Sequence, residues 1–306
     1  MIVKIGTRRS DLAIWQAEFV RDELIRHYPD IEVELVGVTT EGDRTLDVPL
    51  SEKGGKGLFL KELEKKLLDH SVDIAVHSMK DVTITDPVGL HIPVICERAN
   101  PFDAFVSTHY ENLESLPENA RVGTCSLRRQ SILRHRFPDL EVGNLRGNVN
   151  RRLQCLDNGD FDAIILAAAG LHRLDMADRI RQVIASEVML PAVGQGAIGV
   201  QCREDDKQTT ELIEPLNHLE TQRRVHAERA ANARLGGGCH VPLGAFAELE
   251  NGVLQLRGFV GDPDGSQLSF ADMQGAEDAP DQIGHALAEK LLAQGAAKIL
   301  QKFSDV

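Results

Sequence analysis

One cysteine and one aspartate stand where side chains could do covalent and acid–base chemistry. Cys239 lies in the run Leu235-Gly236-Gly237-Gly238-Cys239-His240-Val241-Pro242. Three glycines clear side chains from the approach to the thiol and admit φ > 0, so the chain can turn tightly and present one sulfur to a bulky group. Pro242 stiffens the exit. A small buried cysteine beside a glycine turn is the plainer reading. It leaves unexplained why the barest stretch of the chain carries a thiol at its tip, whereas attachment or catalysis explains it. Asp81 closes His77-Ser78-Met79-Lys80-Asp81, after an apolar run ending at Val76. A carboxylate there can stabilise a developing cation and move a proton; the alternative is a helix-start Asp facing the helix dipole. His77 and Asp81 are four apart, but no third ligand stands at a metal-binding spacing, so no metal is expected.

Residues 121–152 hold eight arginines, no lysine and two acids, a segment of +6 in a chain whose formal net charge is −13. Arginine without lysine suits bidentate capture of carboxylate or phosphate better than a solvated basic face. Thr7-Arg8-Arg9-Ser10 and Thr124-Cys125-Ser126-Leu127-Arg128-Arg129 put hydroxyls and guanidiniums on two matching edges. Gly54-Gly55-Lys56-Gly57 lacks Walker spacing and a Lys-Ser/Thr ending. It reads as a glycine flap over a cleft or as a plain surface loop.

These groups need elements to hold them, and the chain repeats itself in doing so. Ile5-Gly6-Thr7 leads into a helix from Asp11 to about His27 and then Tyr28-Pro29-Asp30; Val122-Gly123-Thr124 leads into a shorter helix and then Phe137-Pro138-Asp139. Each unit is strand, Gly-Thr turn, helix, Pro-Asp stop, strand. Helices over 58–70 and 149–158 lead into the apolar runs Val72–Val76 and Phe161–Leu166, short enough for strands buried on both faces of a mainly parallel sheet. The expectation is two similar α/β domains whose ligands sit beyond the strands' carboxyl ends, near helix starts at Ser10 and Ser126. Pro191–Ala197 reads as a crossover back to the first domain. A helix over 219–234 then delivers the Cys239 loop to a third, α+β domain, with strands and a last helix from about Asp281 to Phe303. The division is 1–98 plus 195–217, 99–194 and 218–306.

At 306 residues, 42% hydrophobic and 26% charged, the chain fits a multidomain soluble protein. No apolar stretch is long enough to span a bilayer. The five cysteines form no CxxC pair, which argues for a reducing cytosol. The acidic balance and 4% aromatic content weigh against an RNA-binding reading of the arginines.

Together the motifs Gly6–Ser10 through Trp15-Gln16, Gly54–Phe59, His77–Asp81, Ser126–Gln130, Leu145–Val149, Pro191–Gly196 and Gly237–Cys239 resemble the porphobilinogen deaminase (hydroxymethylbilane synthase) family over essentially the whole chain. The resemblance implies two domains like type II periplasmic binding proteins, an interdomain cleft and a smaller C-terminal domain. It implies a dipyrromethane cofactor held through a thioether by Cys239, and Asp81 as the catalytic aspartate. Carboxylates of cofactor and substrate would be bound by Arg8, Ser10, Lys80, Thr124, Ser126, Arg128, Arg129, Arg146, Arg152, Arg173 and Gln195. The implied reaction joins four porphobilinogen molecules head to tail with loss of ammonia, then releases a linear tetrapyrrole by hydrolysis, in a cytoplasmic monomer with no nucleic-acid or membrane partner. Cys125 stands where the family more often has Ser, and Arg151 where a small hydroxyl residue is usual. From another class, a small-anion binding or sensor protein would explain the arginines and the repeat, but it has no need of Cys239 or Asp81.

Overall fold

The computed structural model describes residues 2–40, 60–238 and 241–303. Gly54, Gly55, Lys56, Gly57 and Cys239 therefore lie outside the described residues. The first sheet takes β1 (Ile2–Arg8), β2 (Glu32–Val38), β3 (Ile74–Ser78), β4 (Leu90–Ile95) and, from much later in the chain, β10 (Ile198–Arg203), in the order β2-β1-β3-β10-β4. Between β1 and β2 runs α1 (Asp11–His27), which buries Gln16, Ala17, Val20 and Leu24, a stripe at helical spacing. Asp11 in its first turn and Arg26 and His27 in its last suit the helix dipole. Pro29 ends it by disfavouring helical backbone at Tyr28. The short helix α2 (Lys61–Leu68) buries Leu63 and Leu67.

The second sheet repeats the plan with β5 (Asp103–Val106), β6 (Arg121–Gly123), β7 (Glu141–Gly143), β8 (Ala163–Ala167) and β9 (Gln182–Ile184), in the order β7-β6-β8-β5-β9. Its helices are α3 (Leu127–Arg136), α4 (Val149–Asp157) and α5 (Ala168–Arg173). Gly6 pairs with Val36 and Ala75, and Gly123 with Gly143 and Ile164. Both sit where neighbouring side chains leave no room: a Cβ would come within 3.1 Å of Leu63 at Gly6 and 2.9 Å of Leu145 at Gly123. In each sheet one strand is antiparallel to its neighbours, β10 in the first and β5 in the second. These are the two crossing strands. The chain leaves the first sheet after Ile95 to enter the second at Asp103, and leaves the second after Ile184 to re-enter the first at Ile198. Two mixed sheets exchanging one strand's worth of chain in this way are domains of the type II periplasmic-binding-protein kind.

After β10 the chain passes through α6 (Lys207–Ile213) to α7 (Leu219–Arg234) and a meander of β11 (Leu243–Glu250), β12 (Val253–Gly261) and β13 (Leu268–Ala276). The helix α8 (Pro280–Leu291) packs across that sheet with α7, burying Ala227, Ala231, Leu256 and Leu287 in a third core. The final helix expected to run unbroken to Phe303 is interrupted: Gly295 takes φ 103° and the chain resumes as α9 (Ala297–Gln301). Among the described residues no helix is long and apolar enough to cross a membrane.

Candidate active site

The strand β3 is buried along Ile74–His77 and ends in a single 3-10 turn, Met79–Asp81. That turn is pinned at its root. The Met79 amide donates to the Ala197 carbonyl at 3.0 Å, and Gln16 Nε2 donates to Ser78 Oγ at 2.8 Å. Beneath it His77 is buried with its Nε2 2.9 Å from Gln201 Oε1. Burial pushes the imidazole down from 6.5 to about 4, with Arg8 adding to the shift and Asp81 and the Gln201 contact opposing it. His77 is thus neutral near pH 7. Asp81 and the half-buried Lys80 stand at the free end of the turn. Burial lowers the Lys80 ammonium's pKa; Arg129 and Arg152 add to this, while Asp81 and Asp103 oppose it. The acid edge of the first domain therefore lies within electrostatic reach of the second domain's arginines.

In the second domain Thr124 is buried, its amide bonded to Gly143 O at 2.9 Å, and its Oγ1 accepts from the Ser126 amide at 3.2 Å. Ser126 opens α3 and Ser10 opens α1, yet neither hydroxyl caps its helix. Two helix N-termini thus keep donors available for an anion. Arg128 and Arg129 turn inward from α3 onto Asp103, the first residue of β5. Arg128 reaches both carboxylate oxygens at 2.7 and 3.2 Å and also donates to Leu190 O at 2.6 Å. Arg129 meets Oδ1 at 2.7 and 3.2 Å and Ile165 O at 2.8 Å. Gln195 Nε2 adds a bond to Oδ1 at 3.0 Å and one to Pro101 O at 2.7 Å. Burial alone would raise the Asp103 carboxyl, but the two guanidiniums outweigh it and hold the group well below the usual carboxylate range. Among the described residues Arg128 Nε is buried without a partner.

Arg152, on α4, donates from Nε to Gly147 O at 2.8 Å. Burial lowers its pKa, Arg129 and Arg146 lower it further, and Cys125 and Asp81 act against them. Arg146, Arg152, Arg129, Cys125, Lys80 and Asp81 thus share one field, and Arg8 joins it through His77. Arg173 ends α5 elsewhere, against the crossover. Its Nη2 donates to Gly196 O at 2.7 Å, and its guanidinium lies 5.5 Å from the centre of the Trp15 ring. Burial pushes it down to about 10, opposed by Cys96. Arg151 is exposed.

Sequence reasoning overlooked the buried acids that fix these bases. Asp103 opens an otherwise apolar run, Ala104-Phe105-Val106, and an acid at such a position was a legible sign of an internal charge. Glu228 lies on the buried face of α7 with Val225 and Ala231, another sign. It takes two bonds from Arg98, at 2.6 and 3.2 Å, and one each from the amides of Gly194 at 2.7 Å and Ala247 at 2.9 Å. Arg98 itself donates to Gln195 O at 2.8 Å. One carboxylate from the third domain therefore ties both crossover segments together.

Two mixed sheets with crossing strands, and with basic groups and the Asp81 turn at the carboxyl ends of their strands, define a two-domain α/β protein. Solved structures share parts of the fold. The periplasmic aliphatic sulphonate binding protein of Escherichia coli is 14% identical, with a TM-score of 0.41, covering 76% of this chain and 70% of its own. An ABC-transporter periplasmic substrate-binding protein of Coxiella burnetii is 14% identical, with a TM-score of 0.44, covering 70% of this chain and 91% of its own. The family described as porphobilinogen deaminase, dipyromethane cofactor binding domain, matches residues 3–211, and porphobilinogen deaminase, C-terminal domain, matches residues 222–293. The chain belongs to the porphobilinogen deaminase family, transferases with hydroxymethylbilane synthase activity whose cofactor is dipyrromethane.

Proposed function

We propose that Asp81 is the catalytic group of this synthase, that Cys239 holds the dipyrromethane through a thioether, and that the arginines of the second domain bind the carboxylates of the growing chain. The donor set fits such a cofactor. Each pyrrole ring brings an acetate and a propionate, and the cleft offers a buried Arg128 Nε without a partner among the described residues. Ser10 and Ser126 add two helix starts whose hydroxyls are not used as caps. Bound there, the dipyrromethane supplies the nucleophilic pyrrole carbon to which the first porphobilinogen is joined.

Asp81 accepts hydrogen bonds from pyrrole N–H groups. Its negative charge stabilises the cation left on the substrate's methylene carbon as the C–N bond breaks and ammonia leaves. It also receives the proton lost from the attacking carbon once the new C–C bond has formed. Arg146, Arg152 and Lys80 hold ring carboxylates at fixed angles, with Arg8 and Arg173 on neighbouring edges. This supplies the orientation a coupling step needs. Arg128 and Arg129 bind through the donors that Asp103 leaves over, Gln195 holds that cluster in place, and Thr124 adds a hydroxyl beside Ser126. Four additions and a hydrolysis complete the cycle. The same reading keeps the three-domain division given above and takes the chain as a cytoplasmic monomer.

The observation that carries this reading is the place of Asp81 at the end of a 3-10 turn after the buried strand β3, rooted by the Met79–Ala197 and Gln16–Ser78 bonds. The intact mass of purified active protein tests it. An adduct of two pyrrole units, lost in Cys239→Ser, is expected. Asp81→Ala should lower turnover more than about a hundredfold, while Asp81→Glu keeps part of it. Active protein of unmodified mass, or near-normal turnover in Asp81→Ala, would overturn the reading.

A further inference from the structure

The turn that carries Asp81 is held from below by one face of α7, a helix of the third domain. Val225 packs with Met79 and Val82, which flank the Lys80-Asp81 pair. One turn on, Arg229 Nη2 donates to the carbonyls of Thr83 at 2.9 Å and Ile84 at 3.2 Å. Between these two lies Glu228, which holds the amide of Gly194. Gly194 takes φ 67° and lies flat against the turn, where a Cβ would come 2.7 Å from Met79 Cβ and 3.4 Å from the Lys80 amide. Val225, Glu228 and Arg229 are spaced i, i+3, i+4 and share one helix face. They grip the catalytic turn before Asp81, beneath it and after it.

We propose that Arg229 is a positioning residue for the Asp81 carboxylate. Residues 82–84 leave the 3-10 turn without joining a strand, so the path of the chain after Asp81 depends on what their carbonyls bind. Both bonds leave from the one nitrogen Nη2, and together they restrain two successive peptide planes. The helix that supplies it ends at Arg234 and leads into Gly236–Gly238, next in sequence to Cys239. The inference rests on Asp81 as the catalytic carboxylate.

The test uses holoenzyme and begins with Asp81→Ala, whose inactivity secures that premise. Arg229→Gln should lower kcat about tenfold or more with KM within about twofold, because misplacement of a catalytic group by about 1 Å can cost about a hundredfold. Arg229→Lys, which keeps a donor, should recover part of the loss and serves if the Gln variant folds poorly. Arg223→Gln is the control: on the same helix Arg223 pairs with Glu277 at 2.7 Å, inside the third domain, and its kcat should hold. In an Asp81→Glu background, Arg229→Gln should cost less than in the wild type, since the carboxylate it positions is already displaced. With Asp81→Ala inactive, an unchanged kcat in Arg229→Gln, or an equal loss in both backgrounds, would overturn the proposal and leave the Asp81 assignment standing. An active Asp81→Ala would overturn both.

Discussion

The two sheets share a topology, yet equivalent places on them carry opposite chemistry. In the second domain Asp103 begins the crossing strand β5 and pairs with Ala167 at the carboxyl end of β8. In the first domain Ile198 begins the crossing strand β10 and pairs with Ser78 at the carboxyl end of β3. Asp103 is wholly buried and anchors Arg128 and Arg129; Ile198 is 2% exposed and packs in an apolar core. One repeat thus keeps an internal anion that orders cations at its edge. The other keeps an oily floor, and its acid, Asp81, stands free of that floor on the turn above. The same topology thus carries a buried ion cluster at one crossing strand and an apolar contact at the other.

Removing the anchor should have the largest effect. Asp103→Ala leaves two buried guanidiniums without their carboxylate and should destabilise the fold by about 3–5 kcal/mol, read from urea or thermal unfolding. Ile198→Val at the matching site should cost only about 0.5–1.5 kcal/mol. Comparable losses at the two sites would remove the distinction drawn between them. Asp103→Ala should also leave the protein without its cofactor mass, since Arg128 and Arg129 lose the group that orients them.

Acid should next separate the halves. His77 is neutral when folded, with a pKa near 4 against 6.5 in its ordinary state. Between those values the unfolded chain binds the proton more readily, so stability is full above about pH 6.5, falls as pH drops and levels off near pH 4. The loss is on the order of 3 kcal/mol. Asp103 acts in the same direction but in a lower range of pH. Its depressed carboxyl contributes stability above its ordinary 3.8 that is lost only as pH falls below it. Unfolding midpoints measured against pH should show the first slope, and His77→Gln should flatten it while leaving the second. A slope between pH 6.5 and 4 that survives in His77→Gln would assign it to other groups.

The smallest contrast lies in the repeated glycines. A methyl at Gly123 would meet Leu145, Phe161 and Ile164 at 2.9 to 3.1 Å, whereas one at Gly6 would meet Leu63 and Val72 at 3.1 and 3.2 Å. Gly123→Ala should cost about 1–3 kcal/mol and Gly6→Ala less. The reverse order in chemical denaturation would mean that the first core is the tighter of the two.

Much of this was legible in the chain. The Gly-Thr turns, the Pro-Asp stops and the short apolar runs announced two α/β repeats and a third domain, because backbone geometry and hydrophobic periodicity act over a few residues. The extent of α7, Leu219–Arg234, follows the expected range to the residue. Asp81 at a strand's end and the density of arginine were equally local signals. The last helix was misjudged because its apolar spacing runs on past Gly295, and only the packed chain shows φ turning positive there.

Partnership was not legible. Seen along the chain, Arg128 and Arg129 look like free anion donors. The fold turns both onto Asp103, 25 and 26 positions away, with two bonds from each. Arg173, which the family resemblance placed among the carboxylate binders, also meets Gly196 O and the Trp15 ring. The amino-acid sequence by itself determined which residues could be acid, nucleophile or anion donor and which local elements would carry them. Only the tertiary structure decided which guanidiniums are held by a buried carboxylate and which helix braces the turn that carries Asp81. Charge and hydrogen bonding act through a few ångströms of space, and the chain's connectivity says little about which distant segments will share it.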